Sequence, residues 1–232
     1  MKLGIMQPYF LPYIGYWQLM NSVDKFVVYD DVDYIKQGWI NRNRIIENKS
    51  VNYITLPIEK LGSNKLINNI KIFQPEKNKE KLLKRIKLSY KKAPYYNDVE
   101  NLIEKIILNN EKNLSKYIIN SLRLINNFLQ LNTEIIVSSE INKDTHKKGQ
   151  EKVIEICKKM KADHYINPIG GTELYDKKIF EKEGIKLNFI KTADIKYKQF
   201  NNEFIPNLSI IDVMMFNSKE EIKDMLEKYT LI

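Results

Sequence analysis

Asp30 and Asp31, with Asp33 close behind, follow the apolar run Phe26-Val27-Val28. Carboxylates at a strand end can hold Mg²⁺ beside phosphates or act as general bases. In an extended backbone Asp31 and Asp33 share a face and Asp30 points the other way. The same residues would also serve as an ordinary solvated turn. A second group is Lys36, Trp39, Asn41, Arg42 and Asn43. A lysine, an arginine, two amides and an indole suit a phosphorylated, planar or sugar-bearing ligand. The bland alternative is a polar strand face. A third group is Asn167, Gly170 and Gly171, where a strand runs through a glycine turn into a helix. Free N–H groups at such a helix start can bind an anion. The fourth is Asn207, Ser209 and Asp212. Ser209 can cap a helix, and Asp212 inside an apolar run needs a partner if it is buried.

These groups need a scaffold, and the opening of the chain supplies its start. Residues 3–6 form a short apolar run fit for a buried strand. Two prolines, Gly15 and five aromatics then fall within residues 7–17. Proline ends ladder pairing and biases the preceding residue away from helix. A stiff turn therefore leads into a helix over 16–22. Such a turn could be packing alone. Gln7 and the hydroxyls of Tyr13 and Tyr16, with Gly15 between them, instead suggest one wall of a pocket onto which the other groups converge.

Strands are expected over 25–30, 39–46, 51–57, 70–73, 133–139, 162–167 and 185–190. Residues 48–50 read as a hairpin turn. Apolar residues recur at helical spacing over 76–90, in a stretch capped by Asp98, and from Leu114 to Leu129. Further helices are expected over 149–161, 172–182, 208–216 and 219–229. Alternation of strand and helix after residue 130 predicts an α/β fold. Its sheet is mostly parallel and flanked by helices, Rossmann-like, with a helical segment inserted in the middle. The reading is one domain over 1–232 with a helical subdomain around 76–131.

The net charge is +9 and the pI is about 9.3. Lys, Asn and Ile are abundant throughout, as under A/T-rich coding bias. The basic residues are spread out, with no long block beyond 79–92, which argues against nucleic acid as the partner. No apolar run approaches the roughly 18 residues a bilayer span needs. No signal-peptide pattern opens the chain, and a single cysteine, Cys157, leaves no internal disulfide. A cytoplasmic location is expected. Phosphate-loop, Gly-x-Gly-x-x-Gly and Cys-x-x-Cys motifs are absent, and His146 and His164 alone make no zinc site. The oligomeric state, a homodimer included, is left open.

Read together, several motifs resemble the WbqC-like family of bacterial proteins. They are the run from Gln7 to Tyr16, Tyr29-Asp30-Asp31-Val32, Lys36, and Trp39-Ile40-Asn41-Arg42-Asn43. Tyr165-Ile166-Asn167-Pro168, Gly170-Gly171, Leu174-Tyr175 and the run from Pro206 to Asp212 continue it. Asp33 stands where the resemblance leads one to expect Gln, so Asp30 and Asp31 carry more weight. The resemblance implies a role in cell-surface polysaccharide assembly, often of O-antigen. It implies a transferase or ligase that adds an acyl or aminoacyl group to a nucleotide-linked or lipid-linked amino sugar. The alternative is a non-catalytic sugar-binding or assembly component of the same pathway, with a nucleic-acid-binding protein, read from the basic charge, as the less favoured third.

The opening strand, turn and helix is also similar to that of adenylating nucleotidyltransferases and ATP-dependent amide ligases. Tyr13 and Tyr16 stand where those have histidines, so Lys36 and Arg42 would supply the positive charge. On this reading the cofactor is ATP with Mg²⁺. Asp30, Asp31, Lys36 and Arg42 are the catalytic candidates. Gln7, Tyr13, Gly15, Tyr16, Trp39, Asn41, Asn43, Asn167, Gly170, Gly171, Asn207, Ser209 and Asp212 are the substrate-binding ones.

Overall fold

The computed structural model describes residues 1–60, 65–73, 76–200 and 203–232. The chain starts with β1 (Lys2–Met6), α1 (Ile14–Asn21) and β2 (Lys25–Val28). A hairpin of β3 (Arg42–Glu47) and β4 (Ser50–Thr55) follows. Three helices come next, α2 (Glu76–Tyr90), α3 (Tyr96–Ile107) and α4 (Leu114–Phe128). The second half runs β5 (Glu134–Val137), α5 (Gly149–Lys159), β6 (His164–Pro168), α6 (Lys177–Lys182) and β7 (Lys186–Thr192). It ends with α7 (Ile210–Phe216), α8 (Lys219–Leu226) and β8 (Tyr229–Leu231).

Six strands form one sheet in the order β5-β2-β1-β6-β7-β8. The first five run parallel, and β8 pairs antiparallel with β7. The expected α/β class with a mostly parallel sheet and flanking helices is what forms. Alternation along the buried strands sends residues to two cores. Leu3, Ile5, Val27, Tyr165 and Phe189 pack with Val153 and Cys157 of α5 and Phe180 of α6. Phe26, Val28 and Ile166 pack on the other face with α1, α7 and α8 and with the apolar stripes of α2, α3 and α4.

Several boundaries differ from the expectations, each for a local reason. Lys161 adopts a left-handed φ of 56° and ends α5 early. The helix expected from 172 begins only at Lys177, where the Asp176 side chain accepts from Lys178 N at 2.9 Å. A 3-10 turn at Ile169–Gly171 precedes the interval. The last helix stops at Leu226, because residues 229–231 fill the open edge of β7. Within 70–73, Lys71 and Ile72 form isolated bridges instead of a strand.

The hairpin turn is Asn48-Lys49, both in the left-handed region at 52° and 63°. That is a two-residue turn whose twist matches the strands.

The connection from β1 leads to β2 on one side, and that from β6 leads to β7 on the other. Adjacent strands with diverging connections leave a crevice at their carboxyl ends. Here it lies between Met6-Gln7 and Asn167-Pro168.

Candidate functional site

At the carboxyl edge of the sheet three charged side chains, Asp31, Lys143 and Lys152, gather. Asp31, just past β2, receives Lys143 Nζ at 2.9 Å and Lys152 Nζ at 3.1 Å on the same oxygen, Oδ2. Lys152 also donates to the Asp31 carbonyl at 2.9 Å and lies 5.0 Å from the centre of the Tyr29 ring. Lys143 also donates to the Ser138 carbonyl. Asp31 Oδ1 is buried without a hydrogen-bond partner, as is Ser138 Oγ. Burial pushes the Asp31 carboxyl up, but contacts with Ser138, Lys143 and Lys152 outweigh it and hold it below the usual value. The carboxylate therefore stays ionised at neutral pH. Two ammonium groups against one carboxylate leave a net positive charge there, suited to an incoming anion.

Asp30 takes the opposite side, as alternation requires. It is buried, with Oδ1 accepting Ser139 N at 3.0 Å. Its Oδ2 accepts Ser115 Oγ at 3.1 Å and Ser139 Oγ at 2.8 Å. This carboxylate ties β2 to α4 and to the end of β5 and has no oxygen left for a reacting group.

Across the crevice, Asn167 is buried and accepts from Tyr165 Oη at 3.1 Å. Gly171 packs so closely that a Cβ there would collide with the Asn167 amide. Gly170 faces open space. Tyr175 meets Tyr165 edge-on at 5.8 Å. Gly171→Ala is therefore expected to cost about 1–3 kcal/mol through overpacking, and Gly170→Ala less than about 0.5 kcal/mol. Urea melts of the two variants check this. Equal midpoints would mean that Asn167 swings aside freely.

Gln7 is half-buried and lends its carbonyl to Tyr16 Oη at 3.1 Å. Tyr13 lays its ring over Gly15, where a Cβ would come within 2.5 Å of it. Glycine is thus required there by the ring, not by a strained backbone. Tyr16, expected as a ligand contact, is buried among Tyr9, Trp17 and Phe26.

Other candidates hold the opening turn in place. Asn43 Nδ2 donates to the carbonyls of Phe10 at 3.0 Å and Leu11 at 2.8 Å. Ser209 Oγ donates to the Leu11 carbonyl at 2.8 Å and accepts from Ile211 N at 3.3 Å. Leu11 needs these anchors, since its φ is 48°. Asn41 is buried between Tyr34 Oη at 2.7 Å and the Leu56 carbonyl at 2.9 Å. Asp212 has no exposed surface. It accepts from Tyr90 Oη at 2.9 Å, Tyr197 Oη at 2.7 Å and Gln199 Nε2 at 2.7 Å. Asp30, Asn41, Asn43, Tyr16, Ser209 and Asp212 thus turn their side chains to the fold, where direct contact had been expected.

The hairpin group gathers at the surface instead. Trp39 and Tyr53 stack with ring centres 6.4 Å apart, and both are partly exposed. Arg42 lies 4.7 Å over Tyr53 and Arg44 5.4 Å over Trp39. Arg42 also donates to the carbonyls of Gly38 and Gln37. Lys36 is exposed. Asn207, with φ at 57°, offers its carbonyl to Arg44 Nη2 at 3.0 Å. None of the hydrogen bonds, ion pairs or ring contacts described links Arg42 to Asp31.

Cys157 is buried, which raises its thiol to about 12 and makes it inert as a nucleophile. Among the described residues no three His, Cys, Asp or Glu side chains gather as a metal site. No helix among them is long and apolar enough to cross a membrane.

Lys143 and Lys152 were not among the sequence candidates. Lys152 left a signal: it continues the inward stripe of Val153, Ile156 and Cys157 by one turn, where an aliphatic residue is expected. Lys143 left none, since it lies in a polar loop.

The fold is that of an α/β protein with a topological switch point between β1 and β6, and Asp31 and Asn167 lie at the strand ends around it. Sequence comparison gives the family. Residues 7–224 match the WbqC-like protein family, and the chain belongs to it. A relative from Mycobacterium tuberculosis, "Uncharacterized protein Rv1507c", is 27% identical over 228 residues, covering 97% of each chain. No solved structure matches.

Proposed function

We propose that this chain is a transferase or ligase that modifies a nucleotide-linked or lipid-linked amino sugar. The addition is of an acyl or aminoacyl group, within bacterial surface polysaccharide assembly on the cytoplasmic side. The observation that carries the reading is Asp31 clamped between Lys143 and Lys152 beside the β1–β6 crevice. The two ammonium groups would hold the anionic part of a donor. Asp31 would orient them and offer its unpartnered Oδ1 to a sugar hydroxyl or amine. Gln7, Asn167, Gly170 and Gly171 would line the crevice, with Tyr13 at its rim. Asp30 acts as a positioning residue. Catalysis would rest on orientation and charge stabilisation.

A thermal-shift screen with nucleotide-sugars, ATP with Mg²⁺ and acyl-coenzyme A tests this. A ligand at 100 times its Kd adds about 2.7 kcal/mol, or roughly 5–10 °C for a chain of this size. Lys152→Met should lose most of that shift. If none of these compounds stabilises the wild-type protein, the proposal fails.

The exposed Trp39–Tyr53 pair favours a second reading, a non-catalytic sugar-binding component. Unchanged turnover of a reconstituted pathway carrying Asp31→Asn and Arg42→Ala would select it.

A further inference from the structure

One cavity shares no lining residue with the Asp31 cluster and is strongly basic. It holds about 820 Å³ between the β3–β4 hairpin and α2. Six cations line it: Lys49 from the hairpin turn, Lys81, Lys84 and Arg85 from α2, and Lys91 and Lys92 just beyond. The single acid in the lining is Glu47, and it is committed. Arg85 Nε and Nη2 grip both of its oxygens at 2.7–2.9 Å. Arg85 Nη1 also donates to the Tyr53 carbonyl at 2.9 Å, tying helix to hairpin.

The five lysines have no acidic partner among the described residues, and residues 61–64, 74–75 and 201–202 contain no acid. Five ammonium groups around one concavity repel each other, and an anion would relieve that repulsion. Leu88 and Phe200 give the cavity an apolar side. A second cleft of about 380 Å³ shares Lys81 and Arg85 and reaches Tyr53. The two clefts adjoin at Lys81 and Arg85 and are treated as one valley. Cations crowd one cleft, and Tyr53, whose ring stacks on Trp39, is among the residues lining the other.

We infer that this valley is a binding site for a small polyphosphorylated ligand. The lysine end would take the phosphates, and the Tyr53 end a sugar or planar ring. The volume falls within the range of small-molecule sites. The concave shape favours a compact ligand over a bilayer, against which a flat or convex face would lie. The valley's cations lie in one bowl instead of a stripe, which favours a small anion over a nucleic acid strand. The inference stands apart from the proposal for the Asp31 edge, since the two share no residue.

The test is calorimetric titration of the whole chain with sodium tripolyphosphate, at low salt and at about 0.3 M salt, where charge attraction is screened. Expected are binding at low salt, weakening with salt, and a loss of about tenfold or more in Lys84→Glu/Lys92→Glu. Lys152→Met should keep wild-type affinity. Both lysines lie on the surface of the valley, but folding of the variant is checked by its melting curve. A footprint on the wild type covers failure there: tripolyphosphate should slow acylation of Lys84 and Lys92 and not of Lys158.

Unchanged affinity in the charge-reversed variant, or loss of affinity in Lys152→Met alone, overturns the inference. The second of these would point to the Asp31 edge. Tight binding of a single-stranded oligonucleotide or of phosphatidylserine vesicles, with no tripolyphosphate binding, also overturns it.

Discussion

Asp31→Ala is expected to lower the stability of the chain by about 3 kcal/mol. The physical cause is the pair of ammonium groups left behind. Lys143 and Lys152 have side-chain exposures of 2% and 10%, so water cannot replace the carboxylate well. The two would face each other with only the Ser138 and Asp31 carbonyls as acceptors. Asp31 itself is 14% exposed, which places the cost at the lower end for a buried pair. Removing Lys143 as well, in Asp31→Ala/Lys143→Met, should recover part of the loss by ending the repulsion. Urea unfolding of the three proteins measures this. A cost under about 1 kcal/mol would mean that the cluster behaves as an ordinary surface pair.

The same group has a defined pH signature. Burial alone would raise its carboxyl value, but the Ser138 and lysine contacts win and lower it. A depressed acid stabilises the fold above its unfolded value of about 3.9 and loses that contribution as pH falls through the folded value. Wild type should therefore lose stability below about pH 4 in a way that Asp31→Asn does not.

Asp212→Ala should cost at least as much, about 3 kcal/mol or more, by a different route. Three donors converge on this fully buried carboxylate. Tyr90 Oη also accepts from Ile46 N at 3.2 Å, and Gln199 is bonded to both backbone groups of Ile205. The network thus joins β3, α2, the segment before α7 and α7 itself. Truncation leaves two phenols and an amide without their acceptor.

The pH dependence has the opposite sign to that of Asp31. Burial dominates and raises the Asp212 carboxyl despite the three hydrogen bonds that pull it down. Its stabilising contribution is complete below the unfolded value of about 3.9 and fades as pH rises through the folded one. Asp212→Asn should remove that slope. An Asp212→Ala variant with a wild-type urea midpoint would show that the network contributes nothing net.

Local pattern made most of the scaffold legible. The apolar runs at 3–6, 25–30 and 185–190 lie where β1, β2 and β7 form, because strands buried on both faces read as continuous apolar segments. The stripes of α2, α3 and α4 show in the spacing of residues such as Leu82, Leu83, Ile86 and Tyr90. Pro8, Pro12 and Gly15 announced a stiff turn after β1, since their constraints act within one or two residues. Asp30 and Asp31 stood out for the same reason: they follow a buried strand directly.

What each candidate does was decided by partners far along the chain. Alternation in sequence separates Asp30 from Asp31, but only folding brings Ser115 and Ser139 to the first and Lys143 and Lys152 to the second. Asn43 and Ser209 read as ligand contacts until the left-handed Leu11 is seen to need their hydrogen bonds. Asp212 was known to need a partner if buried, and Tyr90, more than a hundred residues away, could not be chosen by any local rule.

The basic valley shows the same division. The lysines of 79–92 were visible as a cluster in sequence, as was the hairpin turn at 48–50. Their meeting around one cavity depends on how α2 packs against β3 and β4. The sequence by itself determined element types and the stiff opening turn, because those obey constraints acting over a few residues. Only the tertiary structure decided strand order, the position of the crevice and which charges meet, because those depend on contacts between distant segments.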